Sequence, residues 1–155
     1  MTLELDITVS EKIINTHSAE ETIKEGKILG SGLRSGDVVA LIGDLGAGKT
    51  VFTQGICAAL SSNNSVISPT FTIVNEYDGL HKIFHFDAYR IESQKDFISI
   101  GFEDYLLEEG ICIIEWADKI KELLPERTIW VKFYHNETEE NQRELRIKFH
   151  EVDIN

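Results

Sequence analysis

Basic charge is scarce in this chain. Its 15 lysines and arginines stand against 27 aspartates and glutamates, a net charge of −12. A protein that grips nucleic acid by itself carries a basic patch. Here the basic residues are scattered along the sequence, and acids cluster at Glu20-Glu21, Glu108-Glu109 and Glu137 to Glu140. That balance argues against tight, direct nucleic-acid binding; any role in RNA biology is expected to run through a protein partner. No apolar run approaches the roughly 18 residues of a membrane span, so no such segment is expected. The start, MTLELDITVSEK, lacks a basic stretch followed by a long apolar one, which argues against a secretory signal. Cysteine is sparse too. Cys57 in GICAAL and Cys112 in GICIIEW lie in apolar surroundings and read as buried free thiols. Without a signal, they point to a reducing cytoplasm. The histidines are not spaced as a metal cluster, so no zinc site is expected. Repeats, low-complexity tracts and linkers are absent, and residues 1–155 read as a single domain with a core of ordinary size.

What is present reads as mixed α/β. Ser18-Ala19-Glu20-Glu21 has the form of a capping box and opens a helix to about Leu33. Asp37 to Gly43 (DVVALIG) is a nearly all-apolar run, as in strands buried on both faces. A glycine-rich loop follows, then a helix from Lys49 to about Leu60. Phe71 to Tyr77 and Leu80 to Asp87 flank Asp78-Gly79, a hairpin signal. Phe97 to Glu109 looks helical with an interruption at Gly101. Ile111 to Ile114 is a fully apolar strand, Asp118 to Leu124 a short helix ended by Pro125. Thr128 to Tyr134 and Glu144 to Phe149 alternate and pair as a C-terminal hairpin. The expected architecture is a P-loop NTPase-like mixed sheet with a parallel centre, antiparallel hairpin additions and flanking helices.

LIGDLGAGKT, Leu41 to Thr50, contains G-x-x-x-x-G-K-T directly after a buried strand and at the start of a helix. That is the context a phosphate-cradling loop requires. Gly43, Gly46 and Gly48 let the backbone approach phosphates without a Cβ clash. Amides from Leu45 through Ala47 to Thr50 point at the anion, and the helix N-terminus adds partial positive charge. Lys49 is expected to reach the β- and γ-phosphates, and Thr50 to place its hydroxyl on Mg²⁺.

Such a site needs an acid at the end of a neighbouring strand. IFHFD ends at Asp87 and ICIIE at Glu115. The first run includes Lys82 and His85 nearby and reads as partly exposed, whereas the second is wholly apolar. Glu115 is therefore the favoured metal-side acid, with Asp87 positioning or activating water or standing in the metal's outer shell. Thr70, in Ser68-Pro69-Thr70-Phe71, occupies the region of a GTPase switch threonine, or is an ordinary turn residue. Trp116 belongs either to the core or to the site. Arg90 either stabilises phosphate charge or makes a surface ion pair.

The guanine-reading string N-K-x-D is absent, which favours ATP. The arginines are dispersed rather than gathered in a lid, which disfavours a small-molecule or protein kinase, the main alternative. A non-catalytic adaptor that only binds ATP is a further one.

In order, GDLGAGKTVFTQGI, SPTFTIVNEY, HFDAYRI and IEWADKI resemble the signatures of the TsaE family, also called YjeE. These are small bacterial P-loop ATPases of tRNA threonylcarbamoyladenosine biosynthesis, and the likeness spans nearly the whole chain. It implies an ATPase, weak alone, that works with the TsaB–TsaD complex, which installs threonylcarbamoyl on adenosine 37 of tRNAs reading codons that begin with A. ATP and Mg²⁺ are the implied cofactors. TsaD and TsaB are the implied partners, and tRNA is met only through their complex. The family's magnesium residues fall on Thr50 and Glu115, its motif aspartate on Asp87, its switch threonine on Thr70 and its tryptophan on Trp116. Its base-end contacts fall near Thr16 to Ala19, with Ser18 central, and near Gln142-Arg143. The sequence departs from the family at Val51, where a second threonine is common, and at Ala117, where proline is frequent.

Overall fold

The computed structural model of the protein describes residues 5–44, 46–62, 66, 74–136 and 138–154. Leu45 of the loop and Thr70, with the rest of 67–73, lie outside the described residues.

The parallel centre follows from runs apolar on both faces. Strand β2 (Val38–Ile42) lies between β5 (Ile111–Glu115) and β6 (Ile129–His135), parallel to both, and β5 is parallel to β4 (Ile83–Asp87) on its other side. Antiparallel strands extend each edge. β3 (Val74–Tyr77) pairs β4, while β7 (Arg143–Ile154) pairs β6 and then β1 (Leu5–Thr16). Among the described residues this makes one sheet of seven strands in the order β1-β7-β6-β2-β5-β4-β3. The expected class, a mixed sheet with a parallel centre, antiparallel additions and flanking helices, is what the chain adopts.

Helices cover the two faces unequally. On one face α1 (Ala19–Ser31) and α2 (Lys49–Ala59) pack over Val39, Leu41, Val131, Phe133, Leu145 and Ile147. The two helices cross glycine against glycine. A Cβ on Gly26 would stand 2.3 Å from the Phe52 carbonyl oxygen, and one on Gly55 2.1 Å from that of Ile23. On the other face α3 (Gln94–Ser99), α4 (Phe102–Leu107) and a 3-10 helix (Ala117–Leu123) cover Val38, Ala40, Phe84, Phe86 and Ile114. Phe86, Phe97 and Phe102 meet there at ring separations of 5.1 to 5.7 Å. No helix among the described residues is long and apolar enough to cross a membrane.

Several expectations need correction. Strand β1 was not anticipated, although Leu5, Ile7 and Val9 alternate with polar residues. It runs beside β7, which extends well beyond Phe149. The helical stretch expected over 97–109 begins earlier, at Gln94; its expected interruption at Gly101 is present, with a left-handed φ of 82° between α3 and α4. The short helix expected over Asp118 to Leu124 is a 3-10 helix that begins one residue earlier, over Ala117–Leu123. The Asp78-Gly79 hairpin has a five-residue connection, 78–82, rather than a two-residue turn. Strand β4 is not partly exposed. Ile83, Phe84, His85 and Phe86 are all fully buried, and the polar interruption by His85 reflects buried hydrogen bonding rather than a wet face.

Candidate nucleotide site

Strand β2 ends at Ile42, and α2 begins at Lys49 after the glycine loop. Gly48 caps α2 with φ of 106°, a left-handed conformation that an L side chain rarely adopts. The first turn of α2 carries no acid of its own, so the partial positive charge of the helix N-terminus faces the loop. The expected phosphate-binding stretch thus lies between a buried strand and a helix start.

Lys49 is only 5% exposed. Its ammonium donates to the carbonyl oxygens of Gly43 and, at 2.9 Å, of Asp44. It also stands 4.2 Å above the Trp116 ring, a cation–π contact. Burial lowers its pKa, an effect opposed by Glu115, Asp44, Asp87 and Asp118. On balance burial outweighs the four acids, and their attraction offsets part of its effect.

Glu115 ends β5, the strand that pairs directly with β2, with Leu41 as its register partner. The Thr50 hydroxyl donates to Glu115 Oε1 at 3.1 Å. Adjacency to β2, rather than a difference in exposure between β4 and β5, is the physical reason to prefer Glu115 over Asp87. Among the described residues no group of three or more histidines, cysteines, aspartates or glutamates could hold a metal. Magnesium, however, is usually bound by one or two carboxylates, with substrate phosphates and waters completing its shell. One carboxylate beside one hydroxyl fits that pattern.

Asp87 ends β4 and pairs in register with Glu115. Its Oδ1 accepts the Tyr89 N–H at 2.8 Å. Burial raises its pKa; the Tyr89 N–H opposes this, Glu115 adds to it, and His85 and Lys49 oppose it. A carboxyl with raised proton affinity, on the strand next to the favoured metal-side acid, has the chemistry of a group that holds or takes a proton.

Both alternatives for Trp116 hold at once. The residue has a left-handed φ of 59° and is packed against the second core. Its ring also stacks on Tyr89 with centroids 4.8 Å apart and carries the Lys49 ammonium. A tryptophan in this backbone region is strained, and such strain gathers at functional sites. Trp116 lines a cleft of about 370 Å³ together with Gly46, Lys49, Thr50, Asp87 and Glu115. Ala47, Gly48, Val51, Tyr89 and Arg90 complete that lining, with Arg90 exposed.

The residues expected near the base end gather on the opposite flank. Ser18 caps α1 by accepting the Glu21 N–H at 3.1 Å. Thr16 and Thr22 share a buried hydroxyl contact of 2.8 Å. Thr16 pairs in register with Arg143, whose guanidinium donates to the Gly46 carbonyl at 3.1 Å. Gln142 accepts from Asn136 at 3.2 Å. Arg143 is thus in contact with the loop.

Sequence reasoning missed His85 and Tyr77. His85 Nε2 lies 2.6 Å from Glu115 Oε2, and His85 Nδ1 lies 3.0 Å from the Tyr77 hydroxyl. The signal was the histidine inside an apolar run, read as exposure. The cysteines behave as expected: both are buried and free, and burial pushes each thiol up to about 12.

The profile of the family described as "Threonylcarbamoyl adenosine biosynthesis protein TsaE" matches residues 16–145. A tRNA threonylcarbamoyladenosine biosynthesis protein TsaE of Treponema pallidum is 38% identical over 75% of this chain and 86% of its own length. The protein of the same name from Bacillus subtilis is 41% identical over 75% of this chain and 73% of its own. Among solved structures, a crystal structure of Bacillus subtilis YdiB superposes with a TM-score of 0.74 at 32% identity, covering 92% of this chain and 87% of that one.

Proposed function

The chain belongs to the TsaE family of threonylcarbamoyl adenosine biosynthesis proteins, and from that premise we propose that it is a magnesium-dependent ATPase serving the TsaB–TsaD complex. Its role in that reading is to support turnover of the complex that forms threonylcarbamoyladenosine at position 37 of tRNAs reading codons that begin with A. The tRNA is met through the partners and not by this chain.

The observation that carries the reading is the 3.1 Å contact of Thr50 with Glu115 beside the buried Lys49. It joins a phosphate loop to an acid at the end of the adjacent strand. Thr50 and Glu115 would hold magnesium, which supplies charge neutralisation at the β- and γ-phosphates. The amides at the start of α2 bind the phosphates, and Lys49 exchanges the carbonyls of Gly43 and Asp44 for phosphate oxygens. Water attacks the γ-phosphorus and the bond to the ADP oxygen breaks. Asp87 orients that water or accepts its proton, a task its raised pKa favours. Trp116 shields Lys49 from solvent, which strengthens its charge–charge attraction.

Reconstitution with TsaB and TsaD tests the proposal. ATP hydrolysis and multiple-turnover tRNA modification are both expected to rise when this protein is added. No change in either overturns it. With γ-labelled ATP the label is expected in free phosphate; label on an acceptor molecule would indicate a kinase instead.

A further inference from the structure

We propose that His85 is a positioning residue for the divalent-cation site, turning Glu115 so that Oε1 faces Thr50, and that Tyr77 holds the imidazole in the orientation this requires. The inference rests on the reading of Thr50 and Glu115 as the magnesium holders.

Three adjacent strands build the arrangement. In register, Asn75 of β3 faces His85 of β4, and His85 faces Ile113 of β5. Tyr77 and Glu115 each lie two residues beyond those partners. All three side chains therefore project from the same face of the sheet and meet diagonally across it. Each is secluded: His85 is 0%, Glu115 3% and Tyr77 5% exposed. A carboxylate this deep must have its oxygens hydrogen-bonded, and here they divide the work. Oε2 meets His85 at 2.6 Å, and Oε1 meets Thr50 at 3.1 Å.

The donor order follows from chemistry. A carboxylate only accepts, so His85 Nε2–H donates to it. A neutral imidazole then has an acceptor at Nδ1, to which the Tyr77 hydroxyl donates at 3.0 Å. Tyr77 thus selects the tautomer that places a donor on Glu115. Without the imidazole, Oε2 loses the donor that turns Oε1 toward Thr50. An outer partner that orients a ligating group ordinarily accounts for about 10–100-fold in metal affinity.

The test is binding of a fluorescent ATP analogue by the whole protein, in EDTA and across a Mg²⁺ titration, with thermal melting in parallel. For His85→Phe the Mg²⁺ concentration needed for half of the affinity gain is expected to rise about 10–100-fold, with affinity in EDTA close to wild type. His85→Gln keeps a donor near Nε2 and is expected to restore most of the Mg²⁺ response. Tyr77→Phe is expected to shift it in the same direction as His85→Phe, by less. If His85→Phe does not fold, His85→Asn takes its place, since its shorter amide keeps polarity but falls short of Glu115. A histidine variant that melts lower yet responds to Mg²⁺ as wild type does overturns the proposal, leaving His85 a satisfied core residue. Wild-type nucleotide affinity that ignores Mg²⁺ overturns both this inference and the reading beneath it.

Discussion

The two halves of the sheet solve different problems. The half built from β4, β5 and β2 is covered on both faces, and its strands are nearly continuous apolar runs; all five residues of β5 are buried. The half built from β6, β7 and β1 is covered by α1 and α2 on one face, and β6 alternates buried and exposed residues from Val131. Its other face carries Trp130, Lys132, Tyr134, Arg146 and Lys148 around an open depression. Basic residues scattered in sequence are thus brought together. Lys132 even stands directly opposite Arg146. Acids accompany them: Glu144 pairs with Arg146 at 3.0 Å, Glu11 faces Lys148 in register, and Asp118 lies on the rim.

The candidate chemistry gathers at the carboxyl ends of the covered half. There a buried parallel strand hands over to a helix N-terminus, and acids at the ends of neighbouring strands lie within reach. The open half contributes a brace, Arg143 on Gly46, rather than a candidate reacting group.

The sharpest test of this contrast is a core truncation in the covered half. Phe86→Ala is expected to destabilise by about 3–5 kcal/mol, read by denaturant unfolding; a loss below 1 kcal/mol would erase the distinction. Next comes Lys49→Ala. Losing a charged hydrogen bond to phosphate, worth about 1.5–3 kcal/mol, should weaken ATP binding roughly 10- to 100-fold in a titration. Gly26→Ala tests the helix crossing that presents α2. A Cβ 2.3 Å from the Phe52 carbonyl must push the helices apart, at about 1–3 kcal/mol, and thermal melting should show it.

Asp87→Asn is expected to reverse the usual sign. The raised pKa means the folded protein releases this proton at higher pH than the unfolded chain does. Stability therefore falls as pH rises through the interval from the ordinary value of 3.8 to the raised one, and the loss persists above it. At pH 7 the asparagine variant should melt no lower than wild type, and higher if the Tyr89 contact is kept. The advantage should vanish below pH 3.8, and ATP hydrolysis should drop. A variant that melts clearly lower at pH 7 would show that Asp87 stabilises the fold. The smallest effect is expected on the open face. Ile13, 55% exposed, should tolerate alanine at under about 1 kcal/mol in the same unfolding assay.

Legibility followed the range of the interactions. The glycine loop that opens α2 was readable because it is built within one stretch of chain from glycines, a lysine and a helix start. Strands β2 and β5 were readable because burial on both faces leaves an unbroken apolar run. Strand β1 escaped because its alternation lapses at Glu11-Lys12 and its partner lies at the other end of the chain. His85 was misread for a related reason. A polar residue in a strand signals exposure unless a partner is buried with it, and its partner Glu115 lies 30 residues away. Thr70 and Leu45 fall outside the described residues.

A glycine-rich turn between a buried strand and a helix start, and the side chains that open that helix, were readable along the chain, since backbone conformation there depends on neighbouring residues. Packing across the sheet set which acid faces Thr50 across 65 residues, which histidine meets that acid, and that Arg143 reaches a loop 97 residues before it. Those contacts depend on the order in which strands lie side by side, and that order is set by packing of the whole sheet.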